Sequence, residues 1–178
     1  PHIGLLNFNY KKLFKRGLDI KKRGISEFVK DISKKVLDTS VSHNNNYTLL
    51  EIVLKTIDDI YNNKEKLNPK LFCKTDMYRP NRQNIRVQSF VKRMKNEYNK
   101  IIQPLDRFKY VIEHKYPYKY TLSGKKINLS TADYMTLYEE GNNYNIDLDY
   151  YMKGSLNGIL ARIITYHKQF SSNLDGIS

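Results

Sequence analysis

The chain has 178 residues, of which 40% are hydrophobic and 12% aromatic, enough for one domain or for two small domains that share a core. Its single cysteine excludes an internal disulfide and a zinc finger. No apolar run reaches the roughly 18 residues of a membrane-spanning helix. The formal net charge of +13 favours a nucleic acid or an anionic membrane surface as partner, with a basic surface that has no dedicated partner as the alternative.

The most strongly basic segment lies near the N-terminus. Residues 1–24 are predicted to be extended, with Gly17 and Gly24 at turns, and basic side chains alternate there with apolar anchors. Such anchors fix a basic surface on a folded scaffold, so we expect the segment to bind nucleic-acid phosphates. The residues concerned are Lys15, Arg16, Lys21, Lys22 and Arg23. The N-terminus lacks the layout of a signal peptide, and both ends resemble cuts within a longer chain.

Two amphipathic helices are predicted next. Ser26 is suited to cap the first, because apolar residues recur at helical spacing after it. Thr48 and Glu51 form a capping box for the second, which carries one broad apolar stripe. The members of that stripe are Leu49, Leu50, Val53, Leu54, Ile57, Ile60 and Tyr61. The short polar loop between the helices predicts an antiparallel pair.

The rest of the chain alternates short strands with helices. Pro69 and Pro80 exclude a long helix between residues 67 and 86, where residues 71–75 form a possible strand. The patterns further along predict a helix at 85–102, a strand at 108–113, an aromatic loop at 116–120, a strand at 125–129, a short helix from 131 and a final helix from 149 to 170. The fold class is therefore mainly α with a few short β-strands, an α+β arrangement.

Catalytic signatures do not occur in this sequence. There is no GxxxxGK(S/T), GxGxxG or HExxH motif, and the four histidines are too scattered to suggest a metal site. Two acidic residues, Asp147 and Asp149, could lie on one side of an extended segment, but we favour capping of the following helix. Cys73 lies in an apolar stretch and is expected to be a core residue and not a nucleophile. We therefore predict no catalytic and no metal-binding residue.

Basic clusters also occur in the second half of the chain. Lys92 and Arg93 lie on the polar face of the helix predicted at 85–102, and Arg107 and Lys109 belong to the strand predicted at 108–113 or directly precede it. Guanidinium and ammonium groups suit phosphate oxygens, so these four residues are secondary DNA-binding candidates. Some of the fifteen tyrosines could stack on bases, although most are expected to pack in or near the core.

Several segments, taken in order, resemble the C-terminal part of family B DNA polymerases. Ile3-Gly4-Leu5 is similar to the close of the family's lysine-lysine-any-tyrosine region, with His2 at the tyrosine position. The segment from Lys15 to Arg23, followed by Ser26, resembles the palm–thumb junction and the serine-led helix after it.

Three later segments continue the resemblance. Val87, Phe90 and the Arg93-Met94 pair resemble a thumb helix, and Leu105-Asp106-Arg107 resembles the glycine-aspartate-arginine turn that follows it, with Leu105 in place of the glycine. Asp149-Tyr150-Tyr151 resembles the entry to the family's final helices. Residues 74–86 and 114–129 align poorly with the family pattern.

The resemblance implies a domain division and a role. Residues 1–24 would be the end of the palm, with its short strand segment and the palm–thumb junction, and residues 25–178 a helical thumb. The basic candidates would grip primer–template DNA during DNA replication. Nucleotidyl transfer, with Mg²⁺, would depend on upstream palm residues, so this chain alone would be inactive.

The resemblance also implies partners and a location. The partners would be primer–template DNA, the remainder of the polymerase (palm, fingers and exonuclease) and a processivity factor, without a membrane. The location would be an intracellular, reducing site of replication, in a host nucleus or a cytoplasmic viral factory.

Two alternatives come from other classes of protein. A stand-alone basic nucleic-acid-binding module without enzymatic activity would prefer single strands and stack its tyrosines on bases. A protein-interaction domain would bind no polyanion at physiological salt.

Overall fold

A computed structural model describes residues 24–41 and 47–165, without the side chains of residues 40 and 41. The predicted extended segment lies outside the described residues except for Gly24, and so does the end of the predicted final helix beyond residue 165. The chain divides into two compact units, residues 1–67 with 149–178 and residues 68–148. In its described part the chain combines helices with short antiparallel strands, which confirms the predicted α+β class.

The first unit contains the predicted pair of helices, α1 (Glu27–Val41) and α2 (Leu49–Asn62), followed by a 3-10 turn at Lys64–Lys66. Apolar residues from both helices are buried together, including Phe28, Val29 and Val53. Ser26 directly precedes α1 as predicted, but its buried hydroxyl has no hydrogen-bond partner among the described residues, so the expected side-chain cap is not formed.

The capping box at the start of α2 is present as predicted. The Glu51 backbone N–H donates to the Thr48 hydroxyl oxygen at 3.3 Å, and the Thr48 backbone N–H donates to the Glu51 carboxylate at 2.7 Å. Hydrogen bonds from the backbone and the hydroxyl of Thr48 lower the pKa of Glu51. The apolar stripe is narrower than predicted, because Leu50 and Leu54 are more than half exposed while Thr56 takes a buried position.

The final helix of the first unit changes its winding near its start. It begins with α5 (Leu148–Tyr151), passes through a π-helical turn at Met152–Leu156 and continues as α-helix over 157–165. Gly154 lies inside the π-helical turn. Asp149 accepts hydrogen bonds from the Tyr61 hydroxyl at 2.6 Å and from Lys153 at 2.9 Å, so it ties this helix to α2.

The second unit is built on a three-stranded antiparallel sheet. Its order is β1 (Lys74–Met77), β2 (Arg107–Ile112) and β5 (Met135–Leu137), with β2 in the centre. The prediction for β2 is confirmed. The strand proposed at 71–75 is displaced towards the C-terminus, because Pro69 and the Asn68 side chain begin a 3-10 turn that runs to Phe72.

One helix, α3 (Ile85–Tyr98), covers a face of this sheet. The Phe90 ring stacks on Phe108 with 5.2 Å between ring centroids and lies 6.3 Å from Tyr110. The helix ends four residues before the predicted limit, because Asn99 adopts the left-handed conformation and the Lys100 N–H returns to the Met94 carbonyl.

Two short elements complete the second unit. Strands β3 (Tyr118–Tyr120) and β4 (Lys126–Asn128) form an antiparallel hairpin, so the aromatic segment predicted as a loop is a strand in part. The helix predicted from residue 131 is the short α4 (Thr131–Tyr134), and it leads directly into β5, which the sequence analysis did not predict.

The turn before β2 contains an unfavourable residue. The Asp106 N–H donates to the Gln103 carbonyl at 3.1 Å, and Leu105, the third residue of this turn, has φ of +70°. A turn with proline second and positive φ third is type II, in which glycine is preferred at the third position. Leu105 therefore occupies a position where its Cβ is strained, at the point where the resemblance indicates a glycine.

Replacing Leu105 by glycine is expected to raise the free energy of unfolding by about 0.5–1 kcal/mol, because glycine adopts positive φ without the clash of a Cβ. Urea unfolding followed by far-UV circular dichroism measures the change. Leu105→Ala is the control, since alanine removes the same exposed side chain but keeps the Cβ. Equal stabilities of the glycine and alanine variants would contradict the assignment of strain to this residue.

Candidate nucleic-acid interface

The predicted DNA-binding residues fall into two groups. Lys15, Arg16, Lys21, Lys22 and Arg23 lie outside the described residues. The other four, Lys92, Arg93, Arg107 and Lys109, all belong to the second unit, which is described completely. In the sequence, this unit carries fifteen lysines and arginines against eight acidic residues.

Arg107 and Lys109 form an exposed basic row on the central strand. Side chains alternate across a strand, and Phe108 and Tyr110 face α3, so Arg107 and Lys109 point to the opposite face of the sheet. Their partners on β1 are Met77 and Thr75. The structure thus brings the predicted pair together on one face of the sheet. We call this face, which carries Arg107 and Lys109, the outer sheet face.

A third cation borders this face and was missed by sequence reasoning. The Arg79 Nε–H donates to the Met77 sulfur at 3.3 Å, next to the strand position paired with Arg107, and Arg79 is exposed. Residues 75, 77 and 79 lie two apart in the sequence, which is the spacing of side chains on one face of a strand. This spacing could have indicated that Arg79 continues the row. Arg79 therefore adds to the positive charge at this edge of the outer sheet face.

Arg93 has a different environment from the other candidates. Its guanidinium donates to the backbone carbonyl of Asp133 at 2.6 Å and to that of Met135, and it lies 5.6 Å from the centroid of the Phe90 ring. The side chain therefore joins α3 to the segment that enters β5. Contact of Arg93 with DNA stays a prediction, but its two forked hydrogen bonds have a structural use within the unit.

Lys92 is exposed on the helix that covers the other face of the sheet. Since α3 lies on the side of Phe108 and Tyr110, the structure does not bring Lys92 together with the outer sheet face. Lys92 instead lines a cleft between α3 and the segment around the hairpin, with Lys119 and Asp133 on the other side.

The charges around this cleft influence one another. Although burial alone would raise the pKa of Asp133, hydrogen bonds from Ser130 and Lys119 lower it. Burial lowers the pKa of Lys115, and the neighbouring positive charge of Arg93 lowers it further. Arg93, which lines the cleft, and Lys115, which shares the Asp133 carbonyl with it, are thus close enough to repel each other.

Catalytic chemistry is not evident in the part of the chain that the structure describes. No group of three or more His, Cys, Asp or Glu side chains within residues 24–41 and 47–165 could hold a metal ion. Burial raises the pKa of the half-buried Cys73 thiol, which is unfavourable for a nucleophile. Within the same ranges, no helix is both long and apolar enough to cross a membrane.

The sequence identifies the family of this chain. Residues 4–167 match the sequence profile described as DNA polymerase family B. The match covers far more than half of the chain, so the chain belongs to DNA polymerase family B.

Particular relatives are viral proteins named DNA polymerase beta. The one from a Malawi tick isolate of African swine fever virus is 29% identical over 188 residues, an alignment that covers 95% of this chain and 16% of the viral protein. The one from a Kenyan pig isolate is 28% identical over 189 residues, with 95% and 16% covered. The chain therefore spans only a small part of the length of these relatives.

Part of a solved polymerase structure has a similar fold. The family B DNA polymerase from the hyperthermophilic archaeon Pyrobaculum calidifontis superimposes with a TM-score of 0.57 and 13% sequence identity, over 78% of this chain and 17% of the archaeal chain. The resemblance stated from the sequence is thereby confirmed at the level of family and fold.

The adjacent residues Lys92 and Arg93 provide a test of the structural assignment. Arg93→Ala is expected to lower the free energy of unfolding by about 2–3 kcal/mol, because two backbone carbonyls lose a charged donor. Lys92→Ala removes an exposed cation from the same helix and should change it by less than about 0.5 kcal/mol. Urea denaturation measures the free energy of unfolding of both variants. Equal decreases in the two variants would contradict a structural role for Arg93.

Proposed function

We propose that this chain forms the palm end and the thumb of a DNA-directed DNA polymerase, with residues 1–24 in the palm and 25–178 in the thumb, and that it holds the primer–template duplex. The observation that carries the proposal is the exposed pair Arg107 and Lys109 on a rigid sheet, within a chain of DNA polymerase family B. The basic segment near the N-terminus would supply the second set of contacts.

The mode of binding follows from the kind of side chain involved. Lysine and arginine contact phosphate oxygens, which are the same at every base pair, so they position a duplex without reading its sequence. A polymerase must hold whatever sequence it has just copied, and contacts of this type meet that requirement. The affinity should fall steeply with salt, because each phosphate contact releases counterions.

The division of labour within the parent enzyme is part of the proposal. The chain spans 16% of the length of its viral relatives, and its described residues offer no metal site. Nucleotidyl transfer would therefore depend on Mg²⁺ ligands elsewhere in the polymerase, and this chain alone would bind DNA without extending a primer. Its partners would be the remaining polymerase domains and a processivity factor, at intracellular sites of DNA replication.

Charge reversal of Lys21, Lys22 and Arg23 to glutamate should weaken duplex binding by the chain across all sequences. Three lost phosphate contacts are expected to reduce the slope of log affinity against log salt by about 2.7. Fluorescence anisotropy with a labelled duplex at several salt concentrations measures both quantities. An unchanged affinity and slope would remove this cluster from the interface.

Neutralising the outer sheet face should have a smaller effect of the same kind. Arg107→Gln with Lys109→Gln is expected to reduce the salt slope by about 1.8, for two phosphate contacts. The matched control is Lys34→Gln with Lys35→Gln, which removes two exposed cations from α1. If the control weakens binding as much as the sheet variant, only total charge matters, and a binding surface on this sheet is contradicted.

The ligand preference tests the proposal as a whole. A thumb should bind duplex DNA in preference to a single strand of the same sequence, and competition between the two measures this directly. A preference for the single strand would favour a stand-alone nucleic-acid-binding module instead.

A further inference from the structure

The cleft beside Lys92 has a shape and lining that the proposed function does not use. It has a volume of about 240 Å³ and opens to solvent between α3 and the segments on either side of β4. One wall consists of polar side chains on successive turns of α3, and the other comes from β3 and the start of α4. Its lining residues are Ser89, Lys92, Arg93, Asn96, Glu97, Lys119, Ser130, Ala132 and Asp133.

Positive charge is concentrated at one end of this cleft. The backbone carbonyl of Asp133 accepts hydrogen bonds from both the Arg93 guanidinium at 2.6 Å and the Lys115 ammonium at 2.9 Å. Lys119 lies 3.1 Å from the Asp133 carboxylate. Two basic side chains thus converge on a single carbonyl oxygen, and a third lies against the carboxylate of the same residue.

Three basic residues, Lys92, Arg93 and Lys119, line the cleft against two acidic ones, Glu97 and Asp133. Asp133 already accepts hydrogen bonds from the backbone and the hydroxyl of Ser130, besides its contact with Lys119. Lys92 is exposed at the rim and has no ion-pair partner among the described residues. Burial is the main cause of the lowered pKa of Lys115, and the positive charge of Arg93 lowers it further, whereas Glu113, Asp133 and Glu97 raise it.

The remaining polar groups suit an oxyanion. Ser89 and Asn96 lie on the same wall as Lys92 and can donate hydrogen bonds through a hydroxyl and an amide. A tetrahedral phosphate accepts several such donors at once, and its negative charge offsets the excess of positive charge in the lining. The volume of the cleft admits one phosphate group together with water.

The surroundings favour a polymer over a free anion. The adjacent hairpin, formed by β3, β4 and the turn between them, exposes the basic residues Lys125 and Lys126. It also exposes Tyr120, while Tyr116, 81% exposed, directly precedes it. A basic and aromatic surface next to a phosphate-sized cleft is the arrangement expected for a nucleic-acid backbone that continues beyond one phosphate.

We propose that the cleft between α3 and the hairpin binds a backbone phosphate of the duplex through Lys92 and Lys119. This inference rests on the proposed function and extends it, because it places a second contact on the side of the sheet opposite to Arg107 and Lys109. Arg93 and Lys115 hold the wall of the cleft in place and contribute positive charge, whereas Lys92 and Lys119 contact the ligand.

The test uses a charge-matched pair of variants of the 178-residue chain. Lys92→Gln with Lys119→Gln is expected to weaken binding of a labelled DNA duplex roughly fivefold at physiological salt and to reduce the salt slope by about 1.8. The control is Lys95→Gln with Lys100→Gln, which removes equal charge from the C-terminal half of α3 and the segment that follows it, outside the cleft lining, and includes one ion-paired lysine as the cleft variant does. It should weaken binding less than twofold, because neither residue belongs to the cleft, the hairpin or the outer sheet face.

Chemical footprinting gives a second readout that does not depend on affinity. Duplex DNA should protect Lys92 and Lys119 from an amine-acetylating reagent, measured by mass spectrometry, while the exposed Lys95, which does not line the cleft, stays reactive. Inorganic phosphate alone, at the same total phosphate concentration, should not protect them. Equal protection by inorganic phosphate would overturn the backbone assignment in favour of a site for a free anion.

The outcomes separate this inference from the proposed function. If the unmodified chain binds no duplex, the proposed function fails, and the inference fails with it. If the unmodified chain binds but the cleft variant matches the control, the inference alone is overturned. Circular dichroism checks that the cleft variant is folded, and the Lys95→Gln and Lys100→Gln control, which also loses one ion pair, shows how much of any change in stability comes from such a loss.

Discussion

The packing of Phe90 against Phe108 and Tyr110 is the contact on which the second unit depends. It buries one face of β2 beneath α3, and the alternation of side chains then turns Arg107 and Lys109 outwards. A shift of the strand by one residue would bury two cations and expose two aromatic rings, at a cost of several kcal/mol. The same apolar contact that stabilises the sheet therefore fixes the direction of its basic row.

Arg93 illustrates how one cation can serve the fold while its neighbour remains free for a ligand. Its guanidinium joins α3 to the carbonyls of Asp133 and Met135, so the start of β5 is held against the helix. Lys92, one position earlier, points to solvent at the edge of the cleft. The proposed contacts thus lie on both sides of one small sheet, and the part-buried hydrogen bonds of Arg93 hold α3 to the segment that enters β5.

Local signals in the sequence predicted most of the helices and the central strand. The capping box of Thr48 and Glu51 predicts where α2 begins. The alternation of polar and apolar residues around Phe108 predicts β2. The predictions were wrong where a long-range contact, or the backbone conformation of a single residue, determines the secondary structure. Asn99 ends α3 through a left-handed conformation that apolar periodicity does not reveal, and Tyr118–Tyr120 becomes a strand because Lys126–Asn128 pairs with it. Arg93 donates to a carbonyl forty residues away, and a contact of this range leaves no periodic pattern in the sequence around Arg93. The cleft that this contact helps to form could not be predicted for the same reason.

The central claim is that this member of DNA polymerase family B grips a duplex through its phosphates, whatever the base sequence. The most direct measurement is the affinity of the 178-residue chain for two duplexes of equal length and unrelated sequence across a series of salt concentrations. The account predicts the same affinity for both duplexes at each salt concentration and one common steep slope. An affinity that depends on sequence, or one that does not change with salt, would contradict it.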